Sequence, residues 1–383
     1  MDNVIDFVKS IYLNKEFIPL FNPTFQGNEK KYLNQCVDSK NVASTSPFVN
    51  QFEQSIINYT GVKHAIATIN GTSALHLALL LLKVQSDKEV ITQPLTYVAT
   101  ANAISYTGAK PIFIDVDKKS LGLSPDKLEQ FLESETIVRN GKCFNKTTSA
   151  EIKAILPMHT FGLPSRIDEI VSIGNKHNIP VMEDAAEGLG SFFKNQHIGT
   201  YGEMGILSFN GNKTITTGGG GMLLTNDKRL AELALHLSTT GKIKHPYEQI
   251  HDHIGYNYRM PGINAALGLA QIEQLEEILN LKKQLSDKYK AYFKNTDLEF
   301  INAIENGTSN HWVNVIAFDS KHQRDEFVEL LNRNNINVRP AWTLMNHLKM
   351  FSNCQTGNLD NAIDAQERIA LLPSGVDNTF NLK

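Results

Sequence analysis

Two potentially reactive side chains follow neighbouring predicted strands in the middle of the chain. Asp184 follows the apolar run at 179–183, and Lys213 comes shortly after Ser208 and the run at 205–209. A lysine amine can attack a carbonyl carbon, and a carboxylate can hold a protonated ring nitrogen. Because the carboxyl ends of parallel strands meet at one edge of a sheet, we expect these side chains to lie close together.

An amine and a carboxylate in this arrangement are what pyridoxal phosphate requires. The lysine forms a Schiff base with the cofactor's aldehyde, and the carboxylate keeps the pyridine nitrogen protonated so that the ring accepts electrons. Taken singly, Asp184 is more simply a helix cap, and Lys213 a solvated lysine. Together with Ser208 and the glycines at 218–221, the pair favours a pyridoxal-phosphate site.

A second cluster of small polar residues lies at 70–73, between a predicted strand at 64–69 and the helix that follows it. Backbone N–H groups at the positive end of a helix, with the hydroxyls of Thr72 and Ser73, suit a phosphate group. Ordinary capping of the helix by either hydroxyl explains the cluster equally well. Tyr97 could stack on a flat ring, although a lone aromatic residue is more often part of the core.

Other site signatures are not supported. The glycines at 218–221 lead into a strand rather than a helix, which argues against a dinucleotide-binding loop. The segment at 211–214 lacks the glycine spacing of a Walker loop. No metal site is predicted, because no strict ligand spacing occurs among His245, His251, Asp252 and His253.

Strand and helix signals alternate through the first two-thirds of the chain. Helix starts are indicated at Ser124-Pro125 and at Asn226 or Asp227. The alternation predicts an α/β fold with a mixed, mostly parallel sheet that is covered by helices on both faces. The strand signals are short apolar runs at 64–69, 89–92, 111–116, 152–158, 179–183, 205–209 and 221–225.

The pattern changes near residue 260. One long helix is predicted from Ile263 to Lys283, followed by an apolar segment at 311–318, a helix near 321–333 and a strand at 335–340. These signals predict a large cofactor-binding domain with an N-terminal arm, and a smaller C-terminal α+β domain. The large domain is predicted to comprise residues 1–260, and the small domain residues 261–383.

Composition limits the class of protein. Of 383 residues, 41% are hydrophobic and 20% charged, which is typical of a globular chain. A net charge of −3 argues against binding to nucleic acid or to an anionic membrane. Three scattered cysteines, an N-terminus unlike a secretory signal and the lack of a long apolar run favour a cytoplasmic protein without a disulfide framework.

With these segments in view, the chain resembles the DegT/DnrJ/StrS family of pyridoxal-phosphate sugar aminotransferases, which have fold type I. The resemblance extends over nearly the whole chain, and the number of motifs in the same order makes it specific. The matching stretches are FVNQFE (48–53), NGTSALHLAL (70–79), EDAAEGLGS (183–191), SFNGNK (208–213), TTGGGG (216–221) and GYNYRM (255–260).

The resemblance implies roles for individual residues. Lys213 would form the Schiff base and move a proton between cofactor and sugar, and Asp184 would pair with the pyridinium nitrogen. Glu187 stands where the family often has Gln or His; it would face the ring's hydroxyl, where a carboxylate could repel the phenolate oxygen unless one of the two is protonated. The cofactor phosphate would be bound by Thr72, Ser73 and Ser208, and Tyr97 would lie against the ring. Asn257 would reach the cofactor phosphate of a neighbouring subunit. Arg259 would contact a substrate carboxylate.

If Asn257 reaches a neighbouring subunit, the working unit is a homodimer with shared active sites. The Gly211-Asn212 pair, the stretch from Arg339 to Trp342 and the stretch at 372–374 are most similar to the LegC-like and PglE-like branch of the family. Those enzymes use L-glutamate to aminate C4 of a nucleotide-linked 4-keto-6-deoxy-N-acetylglucosamine, for bacillosamine or legionaminic-type surface glycans. Arg339 and Trp342 are therefore candidate substrate-binding residues.

Three alternatives stay open at this point. Amination at C3 of another nucleotide-linked keto-deoxysugar, as in a perosamine-type pathway, is compatible with the same residues. A dehydratase relative is less compatible, because those proteins carry histidine in place of Lys213. A non-catalytic regulator with this fold would not need Lys213, Asp184 and the phosphate cluster together.

Overall fold

The computed structural model describes residues 2–377 and residue 380. Within this part of the chain the helices are α1 (Asp2–Ile11), α2 (Glu29–Asp38), α3 (Pro47–Thr60), α4 (Gly71–Leu81), α5 (Val98–Tyr106), α6 (Pro125–Glu135), α7 (Ile167–Lys176), α8 (Lys228–Ser238), α9 (Gly262–Ile272), α10 (Leu275–Phe293), α11 (Lys321–Arg333) and α12 (Asp360–Arg368). The strands are β1 (His64–Thr68), β2 (Lys88–Thr92), β3 (Lys110–Phe113), β4 (Thr136–Arg139), β5 (Lys142–Asn145), β6 (Glu151–Leu156), β7 (Met182–Asp184), β8 (Phe192–Phe193), β9 (Gln196–His197), β10 (Met204–Ser208), β11 (Gly221–Thr225), β12 (Lys242–Ile243), β13 (Ile250–His251), β14 (Glu299–Phe300), β15 (Gly307–Thr308), β16 (Asn314–Ala317), β17 (Arg339–Pro340) and β18 (Ile369–Leu372).

The central sheet has the order β1-β11-β10-β7 on one side and β6-β2-β3 on the other. Parallel bridges Ile155↔Val181 and Met158↔Asp184 join the two parts. Among these seven strands only β11 runs antiparallel to its neighbours. The mixed, mostly parallel sheet predicted from the sequence is therefore confirmed.

The hairpin formed by β10 and β11 carries Lys213. Ser208 pairs with Gly221 at its closed end. Inside the loop, the backbone N–H of Phe209 donates to the carbonyl of Gly220 at 2.9 Å, and that of Thr217 donates to the carbonyl of Phe209 at 2.9 Å. The loop is thus held to the strand ends, at the edge of the sheet where parallel β7 also ends.

Helices cover both faces of this sheet. Helix α4 is buried along nearly its whole length, because it packs between the strands and helices α5 and α8. That explains why its sequence is apolar on almost every side rather than amphipathic. Helix α6 begins with Ser124 as N-cap and Pro125 in the first turn, and Asp227 caps α8, as the sequence indicated.

The prediction of one long helix from Ile263 to Lys283 is wrong. The segment forms two helices, α9 and α10, with a break between Ile272 and Leu275. The Gln274 amide donates to the Glu29 carboxylate at 2.6 Å, and Glu273 accepts from α2 and the residue before it. These contacts with α2 favour the break over a continuous helix. The second helix also runs on beyond the predicted end, to Phe293.

The C-terminal part contains a four-stranded sheet in the order β14-β16-β18-β17. The strand predicted at 335–340 is reduced to the two residues of β17. Packing crosses residue 260, because α9 lies against α2 and α3 and the Tyr12 hydroxyl donates to the carbonyl of Gly375. The division into domains at residue 260 stays a prediction, and residues 378, 379 and 381–383 lie outside the described part.

None of the helices in residues 2–377 combines the length and the apolar character that a membrane span requires.

Candidate active site

Asp184 lies at the carboxyl end of β7 and is almost completely buried. One carboxylate oxygen accepts a hydrogen bond from the Thr100 hydroxyl at 2.7 Å, and the other accepts from the backbone N–H of Ala186 at 3.1 Å. Burial raises the pKa of this carboxyl, while these hydrogen bonds and the charge of Lys213 act in the opposite direction. Asp184 is therefore a fixed acceptor inside the protein.

Lys213 reaches the same buried region from the hairpin loop. Its ammonium lies 3.1 Å from the carboxylate of Glu187 and 4.4 Å from the centre of the Trp312 ring. The lysine side chain is 12% exposed and that of Glu187 is 1% exposed. Most of the lysine side chain is therefore shielded from solvent.

Glu187 is held in place by two donors. The backbone N–H of Phe161 donates to its second carboxylate oxygen at 2.9 Å, opposite the Lys213 contact. Burial raises the pKa of Glu187 to about 7, although the Lys213 charge and these hydrogen bonds lower it. Burial thus favours the protonated form of this carboxyl more than in an ordinary glutamate.

The 70–73 cluster forms a cradle at the start of α4. Asn70 is the N-cap: its side-chain oxygen accepts from the backbone N–H of Ser73 at 2.7 Å. The alternative that Thr72 or Ser73 caps the helix is therefore wrong. In the described residues neither hydroxyl has a protein hydrogen-bond partner, so both are available to a ligand.

Ser208 completes this cradle from the end of β10. A Cβ atom added to Gly71 would lie 3.0 Å from the Ser208 Cβ and 3.3 Å from its hydroxyl oxygen. The close approach of backbone and hydroxyls around the helix N-terminus fits a phosphate group. The cradle, the Lys213 amine and the Asp184 carboxylate are the three kinds of group that pyridoxal phosphate requires.

Three aromatic side chains lie close to one another near the residues that bind Glu187. The Tyr97 ring is 53% exposed and lies 6.1 Å from that of Trp342, edge to face. Trp342 in turn lies 4.8 Å from the ring of Phe161, whose backbone binds Glu187. The structure therefore brings Trp342, a predicted substrate-binding residue, into the surroundings of the cofactor-site residues.

Three predicted residues are not brought into this group. Arg259 is buried, and its guanidinium contacts the Glu53 carboxylate at 2.6 Å and the carbonyl of Ala67 at 3.0 Å. These contacts give it a structural partner in place of the expected substrate carboxylate. Asn257 is exposed and pairs with Thr239 in an isolated antiparallel bridge, and Arg339 is exposed on β17.

Several residues that shape the site had no local sequence signal. The Asn310 amide donates to the carbonyls of Glu187 at 2.7 Å and Leu189 at 2.9 Å. The indole N–H of Trp312 donates to the carbonyl of Asn212 at 2.7 Å, next to the lysine. Asn310 and Trp312 lie outside any helix or strand and Thr100 lies within α5, so no local pattern marks any of the three as a site residue.

The backbone of Trp312 is bound by the buried amine of Lys282. Lys282 on α10 donates to the carbonyls of Trp312 at 3.3 Å and Ser374 at 2.9 Å. The lysine is fully buried, and burial lowers its pKa to about 7. The Trp312 ring is also stacked on Phe21, with centres 4.8 Å apart.

Comparisons with known proteins agree with this geometry. The sequence profile of the DegT/DnrJ/EryC1/StrS aminotransferase family matches residues 23–380. The chain is 38% identical to a GDP-perosamine synthase from Escherichia coli O157:H7 over 337 residues, 88% of each chain. It is 36% identical to EpsN of Bacillus subtilis, a putative pyridoxal phosphate-dependent aminotransferase, over 97% of this chain and 92% of that one.

A solved aminotransferase of the same family from Brucella abortus superposes with a TM-score of 0.83 at 26% identity, covering 91% of this chain and 90% of the other. This likeness agrees with fold type I, the expected class. The chain therefore belongs to the DegT/DnrJ/EryC1/StrS aminotransferase family and is a pyridoxal-phosphate-dependent sugar aminotransferase.

Proposed function

We propose that the protein transfers the amino group of L-glutamate to C4 of a nucleotide-linked 4-keto-6-deoxy sugar. The observation that carries the proposal is the Lys213 amine, which contacts the buried Glu187 carboxyl at 3.1 Å and whose charge acts on the buried Asp184 carboxyl. A regulator that only kept the fold would not need two buried carboxyls within the influence of one amine, because each carboxyl is costly to desolvate.

We assign the proton-moving role to Lys213. Bound pyridoxal phosphate supplies an electron sink that stabilises negative charge on the carbon losing a proton. The Lys213 amine would hold the cofactor covalently at rest and, when free, would take up and return the proton. Asp184, fixed by Thr100 and the N–H of Ala186, would keep the pyridine nitrogen protonated.

Glu187 has a different role from Asp184. With its pKa near 7, it can donate a hydrogen bond to the ring's hydroxyl oxygen, whereas an ionised carboxylate would repel that oxygen. The Phe161 N–H fixes the orientation of the carboxyl group, so the donated proton points away from Phe161. A protonated Glu187 would therefore avoid the repulsion of the phenolate oxygen that a carboxylate would cause at this position.

The α4 cradle, with Thr72, Ser73 and Ser208, would hold the phosphate, and the Tyr97 ring would lie against the pyridine. Asn257 would complete the phosphate site of a second subunit. Support for the homodimer comes from the segment around Asn257, where the Ile254 side chain is 88% exposed and the Tyr247 side chain 82% exposed. Apolar groups this exposed are typical of an interaction surface.

The sugar is proposed to be of the N-acetylglucosamine type, on the motifs shared with the LegC-like and PglE-like branch, with surface-glycan sugars as products. Trp342 and Arg339 would contact the substrate. A second candidate is a GDP-linked 4-keto-6-deoxyhexose, which is favoured by the relatives named GDP-perosamine synthase, an activity that aminates C4 of a GDP-sugar. A perosamine-type pathway therefore favours C4 amination, and the expectation that linked such a pathway to C3 is wrong. Both candidates share the same chemistry at C4.

One experiment separates these possibilities. The holoenzyme is mixed with L-glutamate and, in separate reactions, the UDP-linked N-acetylated 4-keto sugar, the GDP-linked 4-keto sugar and a 3-keto sugar nucleotide. We expect 2-oxoglutarate to accumulate with one of the 4-keto substrates, and NMR of the product to place nitrogen on C4. Release of 2-oxoglutarate only with the 3-keto substrate would replace C4 by C3, and none with any substrate would contradict the proposal.

A further inference from the structure

Three side chains with metal-binding atoms converge on the surface, away from the cofactor-site residues. They are His236, in the last turn of α8, and the neighbours Asp252 and His253, which follow β13. The Nε2 atom of His236 lies 2.6 Å from Oδ1 of Asp252 and 3.3 Å from Nδ1 of His253, and Nδ1 of His253 lies 2.8 Å from the same oxygen. Asp252 and His253 belong to a sequence segment without strict ligand spacing, and the fold adds His236, which lies 16 residues before Asp252.

The separations are close to those of a coordination sphere. Two ligands at about 2.0–2.1 Å from a tetrahedral Zn²⁺ ion lie roughly 3.3 Å from each other. The two imidazole nitrogens already have this separation, and the carboxylate oxygen needs to move outward by only about half an ångström. The three ligand atoms lie within 4.8 Å of one another, so a cation can take the place of the protons that they now share.

The backbone that carries these residues is held in place by hydrogen bonds. The N–H of Gly241 donates to the carbonyl of His236 at 2.9 Å, and the N–H of Asp252 donates to the carbonyl of Gly241 at 3.1 Å. The N–H of Tyr256 donates to the carbonyl of Leu237 at 2.7 Å. Because both segments are fixed before any ion binds, little backbone ordering opposes binding.

We propose that His236, Asp252 and His253 bind one divalent transition-metal ion per chain, of the Zn²⁺ or Co²⁺ class. Two imidazole nitrogens and one carboxylate oxygen suit these ions, whereas Mg²⁺ and Ca²⁺ prefer sites made of oxygen. The group is partly exposed, so water fills the remaining coordination positions. The ion links the end of α8 to the segment from 250 to 258 and stabilises that segment on the helix.

The first test is calorimetric titration of the holoenzyme with ZnCl₂ after treatment with a chelator. We expect one site per chain with a dissociation constant of about 10 µM or tighter, and an increase in the melting temperature on binding. In D252N and in H253N we expect affinity to fall at least about tenfold, since each loses one of three ligands. Circular dichroism of each variant checks that it is folded.

Matched controls separate this site from ordinary surface histidines. His322 is 81% exposed beside Glu326, and His245 lies beside Glu248, so H322N and H245N each remove a His near a carboxylate. We expect both variants to keep the wild-type affinity. Loss of binding in either control with retention in H253N, or a wild-type dissociation constant weaker than about 100 µM, would overturn the proposal.

Cobalt gives a readout that is independent of affinity. Co²⁺ bound by two imidazoles and a carboxylate absorbs visible light through d–d transitions whose intensity reports coordination number. We expect a visible band that saturates at one equivalent in the wild type and is absent from a variant combining H236N and H253N. An unchanged band in that double variant would place the ion elsewhere.

Discussion

The buried edge of the central sheet and the exposed segment at 239–258 differ in what completes them. Asp184 and Glu187 find all their partners inside one chain, and burial sets their protonation. The segment at 239–258 directs Ile254 and Asn257 outward. The comparison separates residues that meet within one chain at the sheet edge from residues that the proposed homodimer would use in the exposed segment at 239–258.

The largest effect is expected at the buried edge, from Lys213→Ala. Loss of the amine removes the group proposed to hold the cofactor and move the proton, so turnover should fall at least about a thousand-fold. The visible absorption of the covalently held cofactor should disappear as well. Lys228→Ala changes an exposed lysine on α8 and is the control; normal turnover of Lys213→Ala would refute the role assigned to Lys213.

Asp184→Asn should lower the rate by roughly a hundred-fold, because an amide cannot balance a protonated pyridine nitrogen. The amide oxygen can still accept from Thr100, so the fold should be retained. The measurement is kcat at saturating substrates, with cofactor content determined separately. A kcat within about twofold of wild type would show that the carboxylate does not face the ring.

The exposed segment is tested by Ile254→Asp. A charge at this proposed dimer contact should weaken self-association by more than about tenfold and reduce activity at low protein concentration. Analytical ultracentrifugation over a dilution series measures the association. Val138→Asp, on the exposed β4 strand, is the matched control. If both variants associate like wild type, the 239–258 segment is not the dimer contact.

Glu187→Gln should change the pH dependence of stability more than the rate. A carboxyl whose pKa is raised from 4.5 to about 7 binds more protons in the folded than in the unfolded state between these values. Its contribution to stability is thus complete below pH 4.5 and is lost as the pH rises to 7, by at most about 1.4 kcal/mol per pH unit. Urea unfolding of the cofactor-free protein should show that the variant lacks this decline.

The smallest effect on activity, less than about threefold, is expected from Lys282→Met. The native Lys282 side chain is buried, and its amine donates hydrogen bonds to the carbonyls of Trp312 and Ser374. With a pKa lowered from 10.5 to about 7, the folded state binds fewer protons than the unfolded state in that range. Wild-type stability should therefore gain a contribution as the pH rises from 7 to 10.5. The variant should lack that gain in unfolding measured at pH 7 and 9.

The sequence predicts the sheet and the residues at its edge well, since strand ends carry local signals. Asp184, Ser208 and Lys213 are separated by short, recognisable segments, and parallel strands bring such residues together. Thr100, Asn310 and Trp312 escaped prediction because their role depends on chain segments distant in sequence that meet only in the folded state.

The errors have the same physical origin. The break between α9 and α10 results from side-chain contacts of Glu273 and Gln274 with α2, which helical periodicity cannot reveal. The capping of α4 by Asn70 leaves two hydroxyls free, although Ser and Thr are equally good caps by propensity. In both places a tertiary contact decided between locally equivalent options.

The β10–β11 hairpin has a consequence for how much the chain can be altered. Strand pairing closes the loop at Ser208 and Gly221. A residue inserted between them would therefore displace the Lys213 amine. The turn at Asn140 and Gly141, by contrast, projects from an edge hairpin into solvent. A tag or circular-permutation site is therefore better tolerated at that outer turn than in the lysine loop.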